Sequence, residues 1–156
     1  MEKDKSTGES PFAMKILDEI KEPASFDSIS KFIKFVTHNA KQLGYSEERL
    51  GEMEHAFTEV LTNIITYAYK EKSGDIQITY TIDRVDRMVF KIIDWGASFN
   101  MLLASDPLLK EEFIEQGIPQ PSTRFIKSFT DTVEYQRLDN MNYLIATFSP
   151  VVKSRK

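Results

Sequence analysis

The sequence predicts an α+β fold, a two-layer sandwich of helices on a sheet, and three observations predict it. Two consecutive segments before Gly74 carry apolar residues at the three- and four-residue spacing of helices. On both sides of a long connection the apolar residues instead alternate with the two-residue period of strands. Strands that are neighbours in sequence are joined by short turns while the helices group together, which argues for a sandwich and against a doubly wound parallel sheet. At 156 residues the chain fits one domain, because two halves would each be marginal.

Residues 1–11 are polar and charged and read as a disordered tail. A single domain is expected over 12–150, opening with a first strand within Phe12–Glu22. After Pro23, Ser25 or Asp27 caps a helix whose apolar positions Phe26, Ile29, Phe32, Ile33, Val36, Ala40 and Leu43 follow helical spacing, with Gly44 as its stop. That helix carries more aromatics than one buried stripe requires, so Phe32, Phe35 and Tyr45 are candidates for a protein contact, although core burial is the ordinary fate of such residues.

Ser46 caps the acidic turn Glu47-Glu48, a favourable place for carboxylates, and leads into the stretch Leu50–Tyr69. Met53, Ala56, Phe57, Val60, Leu61, Ile64, Ile65 and Ala68 form its buried face. Beyond Ser73-Gly74, Ile76, Ile78, Tyr80 and Ile82 alternate with Gln77, Thr79 and Thr81 as a half-buried strand. Met88–Ile93 is more evenly apolar and therefore more central, and it ends in the turn Asp94-Trp95-Gly96. From Ala97 to Pro121 the pattern is weak, with a short helix over Asp106–Gln116, and Ser122 caps a third helix bearing Phe125, Ile126 and Phe129. Val133–Leu138 and Tyr143–Phe148 are strands joined at Asp139-Asn140-Met141. Residues 151–156 form a basic tail that frays.

Composition excludes several classes. A net charge of -4 argues against general affinity for nucleic acid, which rests on clustered Lys and Arg. No apolar run approaches the length that spans a bilayer. There is no cysteine for a disulfide or a thiol nucleophile, and His38 and His55 alone make a multi-histidine metal site implausible. The polar start lacks the apolar core of a signal peptide, so a cytoplasmic location is the default.

The chemistry-bearing residues lie on the second helix and at the turn after the second strand of the hairpin. Glu59 and Asn63, four residues apart, present a carboxylate and an amide on one side of the helix. Phosphoryl transfer needs a metal on the phosphates, a group that orients or deprotonates the attacking oxygen, and a nucleoside pocket. Asn63 with ATP phosphates suffices for magnesium (Mg2+), Glu59 sits near the terminal phosphate, Asp94 accepts from an adenine amino group, and Gly96 lets the backbone approach the base. Taken singly, each has a bland reading as a solvated side chain or a turn residue.

Context changes that weighting. Glu59-Val60-Leu61-Thr62-Asn63-Ile64-Ile65-Thr66-Tyr67-Ala68-Tyr69 resembles the N-box helix of the GHKL ATPase superfamily, in particular its anti-sigma factor serine kinase branch. Tyr67 stands where that branch often has histidine. Asp94-Trp95-Gly96-Ala97-Ser98-Phe99 resembles the Asp-x-Gly-x-x-Phe turn that follows, and Asp131–Tyr135 with Asn142-Tyr143-Leu144 resembles the closing segment. The resemblance implies a histidine kinase-like ATPase fold, with a mixed, mainly antiparallel sheet covered on one face by about three helices. It also implies that Glu59 is the general base, that Asn63 holds magnesium, that Asp94 recognises adenine, and that Thr147 lies near the base. Its kinases bind a sigma factor and phosphorylate a serine on an anti-sigma factor antagonist, and members often form homodimers.

One segment departs from the resemblance. Where the branch has a glycine-rich box over the phosphates, Ile118–Arg124 contains no glycine and two prolines, each lacking an N–H. The glycine-rich lid is therefore degenerate. What remains is a helix start, whose free N–H groups would hold an anion with help from Ser122, Thr123 and Arg124. Two function classes follow: a partner-switching serine kinase, or a module of the same fold that regulates a partner by binding alone.

Overall fold

In the computed structural model, residues 15–104 and 120–154 are described. The tail expected over 1–11 and the helix expected over Asp106–Gln116 lie outside the described residues. The architecture is the expected α+β sandwich. Strands β1 (Asp18–Pro23), β2 (Asp75–Ile82), β3 (Met88–Asp94), β4 (Thr132–Leu138) and β5 (Met141–Phe148) form one sheet in the order β1-β2-β3-β5-β4. Every pairing among the described residues is antiparallel, where a mixed, mainly antiparallel sheet was expected.

Helices α1 (Ile29–Gln42) and α2 (Glu47–Asn63) cover one face of this sheet. Phe32, Val36 and Ala40 of α1 and Met53, Phe57, Val60 and Leu61 of α2 share a core with Ile76, Ile78, Phe90, Ile92, Leu144, Ala146 and Phe148. These strand residues sit two apart, as they must if all point to the same face. Phe57 lies 4.9 Å from Phe90 and 5.6 Å from Phe148, ring centre to ring centre. Truncating such a buried ring costs about 3–5 kcal/mol. Phe32 and Tyr45, offered by the sequence as contact residues, belong to this core, and Phe35 is half-buried edge-on against Tyr80.

Local signals set the helix ends. Gly44, at φ +89°, closes α1 with Tyr45 N–H donating to Ala40 and Gly44 N–H to Lys41, the paired bonds of a Schellman stop. Ser46 Oγ accepts from Arg49 N–H at 3.1 Å and caps α2 as expected. Neither Ser25 nor Asp27 caps α1, which begins after a 3-10 turn at Phe26–Ser28. The helix expected to run unbroken to Tyr69 changes character at Ile64, where a π-helical turn, Ile64–Tyr69, takes over. Such wide turns shift the side-chain phase and recur at functional sites.

Among the described residues, the long connection carries a short helix that the weak pattern concealed, α3 (Met101–Ala104), and the third expected helix is α4 (Arg124–Phe129). β4 and β5 meet in a two-residue turn with both Asp139 and Asn140 at positive φ, which matches the twist of a hairpin. The described part of the C-terminal segment is tied to α2. Glu52 accepts from the backbone N–H groups of Lys153 and Ser154, and Arg49 Nε donates to Ser149 O at 2.8 Å.

Candidate functional site

The buried stripe of α2 fixes its rotation, and that rotation puts Glu59 and Asn63 on the flank facing α4. Asn63 is the last α-helical residue before the π turn. Its Nδ2 donates to the Ser122 carbonyl at 2.8 Å and lies 3.6 Å from Met101 Sδ. No described residue donates to its Oδ1.

Glu59 is fully engaged. Its Oε2 accepts the Ser122 hydroxyl at 2.6 Å, and its Oε1 accepts the backbone N–H groups of Phe125 at 3.0 Å and Ile126 at 2.9 Å. These are the second and third amides of α4, the donors that an N-cap residue ordinarily satisfies. Ser122 was expected to cap this helix, yet Thr123 occupies the N-cap position without a side-chain cap bond, and the acceptor comes from α2 instead. The helix start expected to offer free N–H groups to an anion thus has two of them taken. Arg124 lies over the Phe125 ring, its guanidinium carbon 5.3 Å from the centre, and Thr123 is buried.

Asp94 ends β3 on the helix-covered side of the sheet, and it is only 2% exposed. Its Oδ1 accepts from Asn142 Nδ2 at 2.8 Å and from Gly96 N–H at 2.9 Å, and among the described residues nothing reaches Oδ2. Burial pushes its pKa above the ordinary carboxylate value, and the Asn142 and Gly96 hydrogen bonds with the nearby Arg137 charge offset only part of that. Gly96 has a structural reason to lack a side chain: a Cβ there would stand 2.7 Å from Ala68 O. Ala97 N–H donates to the same Ala68 oxygen at 2.9 Å, and Tyr67 stacks on Phe99 at 5.4 Å. These contacts seat the Asp94 turn on the π-helical end of the Glu59 helix.

Thr147 is not brought to this group. It pairs with Val89, five positions along β5 from Asn142, and it faces the side of the sheet away from the helices. The β5 residue opposite Asp94 is Asn142. Besides Asp94, Asn142 donates to Ala97 O at 2.8 Å and accepts from Tyr135 Oη, from Arg137 Nη1 at 3.2 Å and from Phe99 N–H at 3.3 Å. Arg137 Nη1 also donates to Gly96 O at 2.9 Å. Sequence reasoning noticed Asn142 only as part of a similar segment. Its role follows from cross-strand register, which no local pattern discloses.

A family model described as the histidine kinase-like ATPase domain matches residues 23–148. The chain belongs to that family. The histidine kinase-like ATPase domain thus takes in both helices that cover the sheet, the Asp94 turn and all of β2–β5. The chain is similar to the serine-protein kinase RsbW of Bacillus mycoides, 32% identical over 82 residues that cover 53% of this chain and 51% of that protein. A serine-protein kinase RsbW of Bacillus cereus is 30% identical over the same length. The matched part spans about half the length of these curated relatives. Among solved structures, the blue-light activated histidine kinase of Erythrobacter litoralis is 14% identical with a TM-score of 0.48, over 82% of this chain and 41% of that one.

The residues present fit a bound nucleotide on the adenine side, where a buried carboxylate keeps one oxygen without a described partner. They fit a hard cation at Asn63, whose amide nitrogen is tied to Ser122 so that its oxygen is the atom left to present. No group of three or more His, Cys, Asp or Glu residues among the described residues forms a metal cage. No described helix is long and apolar enough to cross a membrane.

Proposed function

We propose that this histidine kinase-like ATPase domain is a cytoplasmic serine kinase of the partner-switching type, which binds ATP with magnesium and transfers the γ-phosphate to a serine of an anti-sigma factor antagonist, with a sigma factor as the alternative partner. The observation that carries the reading is Asp94, a carboxylate buried to 2% exposure with one oxygen left over for a ligand donor. A buried acid is costly, and acids with pKa values shifted by burial cluster at functional sites. An adenine amino group supplies the missing donor. The likeness to serine-protein kinases supports the choice of serine as acceptor.

In this reading Asn63 Oδ1 would hold magnesium, which would neutralise charge on the phosphates. Glu59 takes the proton from the attacking serine hydroxyl, and for that it must exchange at least part of its bonding to Ser122, Phe125 and Ile126 for the substrate. Asn142 and Arg137 hold the Asp94 turn in the shape that meets the base.

That engagement of Glu59 also favours a second reading, a module that regulates a sigma factor or antagonist by association alone. Titration calorimetry with ATP and magnesium separates the two. Binding in the micromolar range that Asp94→Asn abolishes is the expected result; absence of binding at millimolar nucleotide eliminates the kinase and leaves the association module.

A further inference from the structure

Ser122 is held at two points by the two residues to which the proposed kinase assigns chemistry. Its hydroxyl donates to Glu59 Oε2 at 2.6 Å, and its carbonyl accepts from Asn63 Nδ2 at 2.8 Å. The first distance is the reach required of a general base on the hydroxyl it deprotonates. The side chain is exposed rather than sunk in the core, and it does not cap its own helix. A serine with only a capping role would accept from an amide of α4, but the amides go to Glu59. Ser122 therefore occupies, in the free protein, the position that a substrate serine takes on the base.

We propose that Ser122 is an internal phosphorylation site of this chain, modified in cis with ATP as donor. The inference rests on the kinase reading above. Ser122 Oγ attacks the γ-phosphorus; the new O–P bond forms as the bond from that phosphorus to the β,γ-bridging oxygen breaks, and ADP leaves with the electron pair. The hydroxyl proton passes to Glu59 Oε2 and then to water. The product places a phosphate of charge about -2 against the Glu59 carboxylate. Like charges at this distance repel, so the modified chain releases Glu59 from α4 and loses the serine-binding position beside the base. Self-modification is thus a brake on transfer to other proteins.

The test incubates the purified full chain with γ-labelled ATP and magnesium, and maps the label by mass spectrometry. The expected result is up to one phosphate per chain, on Ser122, at a first-order rate unchanged by tenfold dilution. Ser122→Ala loses the label, Ser122→Thr carries it as phosphothreonine, and Glu59→Gln labels about 10²-fold more slowly or less. A readout without nucleotide runs alongside. Amide exchange at Phe125 and Ile126 is unchanged in Ser122→Ala and accelerated in Ser122→Asp, where a second carboxylate meets Glu59. Label on another residue, a rate that rises with chain concentration, or undiminished labelling of Ser122→Ala overturns the proposal. If the chain binds ATP and phosphorylates a separate serine protein while Ser122 stays unlabelled, this proposal fails and the kinase stands. If ATP does not bind at all, the kinase reading fails first and this one falls with it.

Discussion

Glu59 lies 2.9 Å from the amide nitrogen of Ile126 and so caps α4 from a different helix. The residue to which the proposal assigns catalysis is also the one that fastens α4.

Glu59→Ala therefore has two separable effects. Loss of the cap on Phe125 and Ile126 should cost about 0.5–2 kcal/mol of stability, read as a lower midpoint in urea unfolding. Loss of the base should slow phosphoryl transfer to a serine by about 10²–10⁴-fold. Glu59→Gln retains one carbonyl oxygen as an acceptor, so it should recover much of the stability and none of the rate. If Glu59→Ala phosphorylates a partner as fast as the parent chain, the base assignment is wrong.

Asp94→Asn should trade function for stability. The raised pKa of Asp94 means that the folded chain binds its proton more tightly than the unfolded chain does. Stability therefore falls as pH rises from the ordinary value of 3.8 through the raised folded value, because burial disfavours the ionised carboxylate. The amide keeps an oxygen for Asn142 and Gly96 without that charge. The variant should gain on the order of 1 kcal/mol at pH 7 and show a flatter pH dependence above 3.8, while its ATP affinity drops at least tenfold. Thermal scans across pH with calorimetry at one pH check both halves, and an unchanged ATP affinity would remove Asp94 from the site.

Where the causes are local, the sequence was readable. Ser46 before two glutamates, Gly44 at a helix end and the even apolar run of β3 each act within one element, and each stands where the pattern put it. The pairing of Glu59 with Asn63 was readable for the same reason, since four residues make one turn. That Thr147 lies apart from Asp94 was not legible, because a strand pattern fixes neither register nor face: only the pairing of Asp94 with Asn142 shows which β5 residue stands beside the acid. The π turn at Ile64 was hidden because its residues are apolar whichever helix they form. Nothing in α2 alone says that Phe129, Asp131 and Ser149 converge on Arg49 from the far end of the chain.

Asn142→Ala should loosen the Asp94 turn without touching the contacts of Glu59. The amide it removes satisfies Asp94, Ala97 O, Phe99 N–H, Tyr135 and Arg137 together. Leaving buried partners unsatisfied costs about 1–3 kcal/mol each, partly recovered where water enters. Amide exchange at Phe99 should rise, and ATP affinity should fall, while exchange at Phe125 and Ile126 stays as in the parent. A rise at all three amides would mean that the two sides of the site are coupled through α2.

Arg49 is the largest fully buried side chain, and its substitution should be the most damaging of this set. Its Nη1 donates to Glu52 at 2.7 Å and to Phe129 O at 2.8 Å, and its Nη2 lies 3.7 Å from Asp131, which Lys153 also meets. Arg49→Met leaves the buried Glu52 without its cation and Asp131 with Lys153 alone, and should cost about 3–5 kcal/mol, and Arg49→Lys should not rescue it, because an ammonium cannot serve Glu52, Phe129 and Ser149 at once. Burial pushes the pKa values of Glu52 and Asp131 up, but hydrogen bonds from Ser154, Lys153 and Arg49 to Glu52, and hydrogen bonds from Lys153 and Ser149 with the Lys153 charge at Asp131, hold both below their ordinary values. Their stabilisation is thus fully present above pH 4.5 and is lost as pH falls through the lowered values. Glu52→Gln should flatten that acid limb, and an unchanged limb would refute the assignment. The same arginine holds the C-terminal end of α4 while Glu59 holds its start, so both ends of that short helix hang on α2. Arg49→Met should therefore speed amide exchange at Phe125 and Ile126 from the opposite end of the helix, even though it touches neither Glu59 nor Ser122.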